Sequence, residues 1–177
     1  MTHPDRENPL EERFQSYQTL KRKGDLYSAA VYLAETSHAS ARLPVAQRAA
    51  WNSRIEKEEL SEEFLREARS GLKQSIERVH RILSIGTEWT GEEILLVMQL
   101  RIEIKLLSDF LVTEVVGESL KQLEQIDAQL AILEKSEDHS RHFTWGLRQM
   151  KKHWMSDIEP VWRSLIDPSP ENWTREC

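Results

Sequence analysis

Apolar residues recur at spacings of three and four along most of this chain, the period of a helix face. Leu10, Phe14, Tyr17 and Leu20 form the first stripe. Asn8-Pro9-Leu10-Glu11 supplies a cap, a proline at the first helical position and a glutamate three residues on, so a helix is predicted from Asn8. Gly24 ends it and Asp25 caps the next. That second helix carries Leu26, Ala30 and Leu33 on one line, with Tyr27, Val31 and Ala34 beside it. Its alanines suit close approach to a neighbour. Leu43-Pro44 marks the following boundary, because a residue before proline avoids the α region.

Helical periodicity then runs from Pro44 to Leu83, about 60 Å as one helix. That overhangs a domain of this size, whose radius of gyration is about 16 Å. The stripe also changes phase between Trp51–Ile55 and the run Leu60, Phe64, Ala68, Leu72, Ile76, Val79 and Leu83. A break is therefore predicted at Glu58–Ser61, with Ser61 as a cap. Thr90-Gly91-Glu92-Glu93 is a capping box for the most apolar segment, predicted as a helix over about 91–116 and placed at the centre of the bundle. Leu100 to Leu106 alternates apolar and charged as a strand would, but the cap and segment length favour helix. Gly117 precedes a helix bearing Leu120, Leu123, Ile126, Leu130 and Leu133. After a polar connection at 134–140, a last helix carries Phe143, Leu147, Met150, Trp154, Ile158, Val161 and Leu165. Pro160 kinks this helix or starts a new one.

These elements predict an all-α fold: a single-domain bundle of five to seven helices over residues 1–167, with a short tail at 168–177. Composition agrees. Residues 45–159 contain no proline, and Gly and Pro number only six each among 177 residues, which excludes turn-rich all-β and collagen-like chains. The single cysteine, Cys177, excludes an internal disulfide. The first residues lack the apolar core of a signal peptide, and no apolar run approaches the ~18–20 residues of a membrane span. A cytoplasmic protein without membrane contact is expected.

Net charge is −6, against a broadly basic nucleic-acid binder. The charge is unevenly spread, however. Residues 56–67 hold six glutamates. Residues 141–153 hold Arg141, Arg148, Lys151 and Lys152 with no acid. Arg66, Arg69 and Lys73 follow one another along another helix edge. Arg101 and Lys105 stand on the most apolar helix, where they are expected to reach the bundle edge. Asp109 is placed to pair with Lys105.

Three motifs fall short of chemistry. Gly86 to Gly91 has phosphate-loop glycine spacing, but Glu92 and Glu93 occupy the Lys and Ser/Thr positions and would repel phosphate. Glu137, Asp138, His139 and His142 include metal-ligand types, yet a polar connection with two histidines reads as solvated, so no metal or other cofactor is expected. Gly24 to Tyr32 resembles the turn and second helix of a tetratricopeptide unit. The next unit would need small residues near 58 and 63, and both are glutamate.

Arg148-Gln149-Met150-Lys151-Lys152-His153 resembles the arginine–histidine motif of the HEPN ribonucleases, small all-helical proteins that usually pair. The resemblance implies that Arg148 and His153 would line an RNA-cleavage site at a dimer interface.

The sequence favours a non-enzymatic helical interaction module, an adaptor or subunit of a larger assembly, bound to a protein partner or to its own copy. Four of six tryptophans lie within 145–173. Trp154 shares the core stripe, and Trp145, nine positions earlier, falls about 180° away. The partner surface is therefore placed at Trp145 with Arg141, Arg148, Lys151 and Lys152; the alternative buries Trp145 under the N-terminal arm or the tail. Two further functions stay open. One is a nucleic-acid-facing subunit of a ribonucleoprotein complex using Arg66, Arg69 and Lys73. The other is the HEPN-type ribonuclease.

Overall fold

Local chain chemistry sets the ends of the helices. The computed structural model describes residues 7–85, 89–112, 115–156 and 158–166; the expected tail at 168–177 and residues 86–88 lie outside them. Eight helices occur among the described residues: α1 (Glu7–Lys23), α2 (Leu26–Ser40), α3 (Val45–Glu56), α4 (Glu62–Ile85), α5 (Gly91–Phe110), α6 (Glu118–Lys135), α7 (Ser140–His153) and α8 (Ile158–Ile166). No strand occurs among them, and Leu100–Leu106 is helical throughout. No described helix is long and apolar enough to cross a membrane.

Most of the expected stops and starts appear. Gly24 takes the left-handed conformation (φ 81°) that ends α1, and the Asp25 side chain accepts from Ser28 N–H at the start of α2. The break near Glu58–Ser61 separates α3 from α4, and Ser61 Oγ accepts from Phe64 N–H at 3.1 Å. At α5 the capping box is complete. Glu93 N–H donates to Thr90 Oγ1 (3.2 Å), and Glu93 Oε2 accepts from Thr90 N–H (3.0 Å) and Thr90 Oγ1 (2.9 Å). The Thr90 backbone and side-chain bonds hold the Glu93 carboxyl below its ordinary pKa.

Three boundaries differ from expectation. The count is eight rather than five to seven because the last stripe splits. Trp154 leaves the helical region (φ −129°, ψ −74°), and the chain restarts as α8, whose first turn tolerates Pro160. The apolar helix ends at Phe110, not near 116. Val112 has φ 47° and is 89% exposed. The run Val112-Thr113 and Val115-Val116 is β-branched, which crowds a preceding helical turn. Finally, α1 begins at Glu7, one residue before the expected cap at Asn8.

Packing divides the described helices into two units. The first comprises α1, α2, α3, α4 as far as Gln74 and α5 from Glu103. Its core joins Leu10, Phe14 and Tyr17 to Ala29, Ala30 and Leu33, with Trp51 and Phe64 closing an aromatic cluster. The Arg54 guanidinium lies 4.2 Å from the Phe14 ring centroid and bonds Glu11 at 2.5 and 2.8 Å, tying α3 to α1. The α3–α4 connection is tied to α1 as well. The buried Tyr17 donates its hydroxyl proton to Glu58 Oε2 at 2.6 Å, and Lys21 Nζ reaches Tyr17 Oη (2.9 Å), Glu58 Oε2 (3.1 Å) and the Glu59 carbonyl (3.3 Å).

These clamps respond to acid. Arg54 is the main cause holding Glu11 below the usual carboxylate range. Burial pushes Glu58 up, but its bonds from Tyr17 and Lys21 outweigh that and lower it. A carboxylate depressed in the folded state contributes stability above its unfolded pKa of about 4.3, and loses it as pH falls through the lower folded value. Melting temperature should therefore drop as pH falls below about 4.3, and Glu58→Gln should flatten that drop. An equally steep profile in the variant would show that Glu58 is not coupled to folding.

Gly71 faces Tyr27. A Cβ at Gly71 would stand 2.1 Å from Tyr27 Cδ2 and 2.5 Å from Cγ. Alanine gains about 1 kcal/mol of helix propensity over glycine, but overpacking of about 1–3 kcal/mol opposes it. Gly71→Ala should therefore destabilise in urea unfolding, and Tyr27→Ala should reverse the sign. A stabilised Gly71→Ala would mean that the Tyr27 ring moves aside freely.

The second unit comprises α4 from Ser75, α5 as far as Ile102, and α6, α7 and α8. Ile76, Val79, Leu83, Ile94, Val97, Met98, Ile102, Ile126, Leu130, Phe143, Met150 and Trp162 form its core. Gln129 Nε2 donates to the Leu83 carbonyl at 3.0 Å, and His80 Nε2 meets Gln125 Oε1 at 2.8 Å, so α6 is fixed along α4. Arg101 does not reach the bundle edge. It is buried, and its Nε and Nη2 bond both oxygens of Asp127 at 2.6 and 2.7 Å. On the part of α5 that belongs to the first unit, Lys105 pairs with Asp109 at 2.7 Å, as its spacing implied.

Candidate functional site

The buried side of α7 is Phe143, Gly146, Leu147 and Met150. Steps of about 100° put Arg141, Trp145, Arg148 and Lys152 within a sector of about 60° on the opposite side. All four are exposed, with Trp145 at 38%. The stripe is about 16 Å long at 1.5 Å per residue. The sequence folds this way because its apolar residues recur at 143, 147 and 150, while the cations fill the positions between them.

Trp145 does not stand clear of the protein. An added Cβ on Gly91 would lie 3.5 Å from Trp145 Cε3 and Cζ3, and 3.2 Å from His142 Nδ1. The indole therefore leans over the first turn of α5, with one side left to solvent. A Cβ on Gly146 would lie 3.0 Å from Met98 Sδ and 3.8 Å from Leu95 Cδ1. Glycines at 91 and 146 thus allow α5 and α7 to approach closely.

The fifth expected residue, Lys151, faces elsewhere. It bonds Glu159 of α8 at 2.6 Å, and that bond is the main cause lowering the Glu159 carboxyl. Trp154, expected in the core, is half-buried at the end of α7; Trp162 is the fully buried indole.

Arg148 and His153 are both exposed on α7, and five residues separate them by about 140° around its axis. Arg66, Arg69 and Lys73 are exposed on the α4 segment of the first unit, with Arg66 Nε 3.5 Å from Glu67. His139 and His142 stand 6.4 Å apart between ring centroids, with Glu137 and Asp138 exposed beside them. No group of three or more metal-ligating side chains occurs among the described residues.

Sequence reasoning missed the α5 flank of this site. Leu95 is half-buried and Leu96 is 38% exposed. No family model, curated protein or solved structure matches this chain.

Proposed function

We propose that this protein is a non-enzymatic helical interaction module, an adaptor or subunit of a larger assembly, which docks a protein partner on the exposed face of α7. One observation carries the reading. Trp145 is a part-open indole in line with Arg141, Arg148 and Lys152. Tryptophan and arginine are the residues most enriched at binding hot spots, where a few anchors carry most of the energy. A second reading, contact with single-stranded nucleic acid, is supported by the same stripe, because indoles stack on bases while cations hold phosphates. The net charge of −6 favours the protein partner.

Trp145→Ala should leave folding stability within about 1 kcal/mol, the range of surface changes. It should also remove the partner from complexes purified through the native chain. Thermal melts and co-purification, compared side by side, decide the matter. A loss of several kcal/mol would place Trp145 among the core residues instead, and an unchanged set of partners would move the docking face elsewhere.

A further inference from the structure

We infer that the open side of the α5–α7 seam seats an amphipathic helix of a partner protein, with acidic residues along the edge that lies against α7. This rests on the reading of α7 as the docking face and names what docks there.

The seam has two unlike walls. On α7, His142 and Gln149 come next to the buried stripe, then Trp145, and the cations lie outboard of it. On α5, Leu95 touches the Gly146 position, and the positions next round towards solvent are Gln99, then Glu92, then Leu96. Trp145, Leu95 and Leu96 thus supply the apolar members of a strip that also holds His142, Gln149, Gln99 and Glu92. Leu96 and Trp145 are each 38% exposed. The acid on the α5 wall is Glu92, in the first turn.

The partner must be helical because the seam consists of helix surfaces whose backbone groups are already bonded internally. An extended peptide would find no strand edge to pair with, and its N–H and C=O groups would be desolvated without partners. A helix brings those groups satisfied and presents apolar residues at three- and four-residue spacing.

The partner must be acidic on the α7 side because that wall carries Arg141, Arg148 and Lys152 and α7 has no acid. Charge complementarity at such an edge selects orientation and rejects wrong partners. The same cations disfavour a second α7 face laid on the first, since like charges would meet. Nucleic acid fits less well: phosphates gain nothing from the leucines, and Glu92 repels them.

The test uses the full chain and four labelled probes, with anisotropy as the readout. These are a synthetic helical peptide of about five turns with a leucine stripe and glutamate flank, the same peptide with lysine replacing glutamate, a polyglutamate peptide, and a single-stranded oligonucleotide. The glutamate-flanked helix should bind saturably and most tightly. Trp145→Ala should weaken it about 30-fold, as loss of a hot-spot anchor does. Arg141→Glu with Arg148→Glu should abolish it and transfer binding to the lysine-flanked helix. Equal binding of the lysine-flanked helix, tighter binding of polyglutamate or the oligonucleotide, or no peptide binding at all would overturn the inference. Competition against the native complex separates the two levels. A Trp145-dependent complex that the glutamate-flanked helix fails to displace leaves the docking face standing and removes only the acidic-helix partner. The absence of any Trp145-dependent complex removes both.

Discussion

Trp162→Ala is expected to lower the stability of the second unit by about 3–5 kcal/mol, the range for truncating a buried aromatic. The indole is 0% exposed and lies 5.8 Å from the Phe143 ring at 33°. Its Nε1 donates to Glu134 Oε1 at 3.2 Å, an oxygen that also accepts from Arg163 Nη1 at 2.9 Å. Truncation leaves a void between α7 and α8 and withdraws one donor from Glu134. Trp162→Phe keeps an aromatic ring but loses the N–H and part of the indole volume, so it should cost less than the alanine variant. Urea unfolding followed by circular dichroism measures both. If Trp162→Ala fell within 1 kcal/mol of the parent, α8 would not hold the packing described.

Asp127→Ala is expected to cost about 3–5 kcal/mol, because it strands a buried cation. The Arg101 side chain is 7% exposed and its bidentate partner is 27% exposed. The two ends of the pair should therefore behave unequally. Arg101→Met removes the charge that water cannot reach and leaves a carboxylate that water can, so it should cost clearly less than Asp127→Ala. Equal losses from the two variants would mean that the guanidinium is hydrated after all. The double variant Arg101→Met with Asp127→Leu should recover much of the loss, since apolar replacement of a buried pair is often neutral.

Fold class was legible because the cues were local. Gly24, Asp25, Ser61 and the Thr90–Glu93 box each act within three or four residues. Periodicity likewise separated Trp145 from the core. What escaped was set by residues distant in sequence. Arg101 read as an edge residue because its partner Asp127 stands 26 positions away on another helix. Trp154 fits the stripe of one continuous helix and Trp162 does not. The break after His153 re-aims everything beyond it, and Trp162 lies against the Phe143 ring. Lys151 looked like part of the basic face until Glu159 of α8 took it. The apolar run past Phe110 read as helix because hydrophobicity outweighed the weaker signal of β-branching.

The turn at Gly24–Asp25 has a kinetic side. Only two residues separate α1 from α2, the shortest of the connections between consecutive helices. Closure entropy grows with loop length, so the docking of Phe14 and Tyr17 near Ala29, Ala30 and Leu33 begins from the smallest conformational search in the chain. Such near-neighbour contacts lower contact order, the topological quantity that tracks slow folding. A left-handed glycine and an aspartate cap therefore govern how soon the first unit acquires a surface on which Trp51 and Phe64 can settle, as well as where two helices meet.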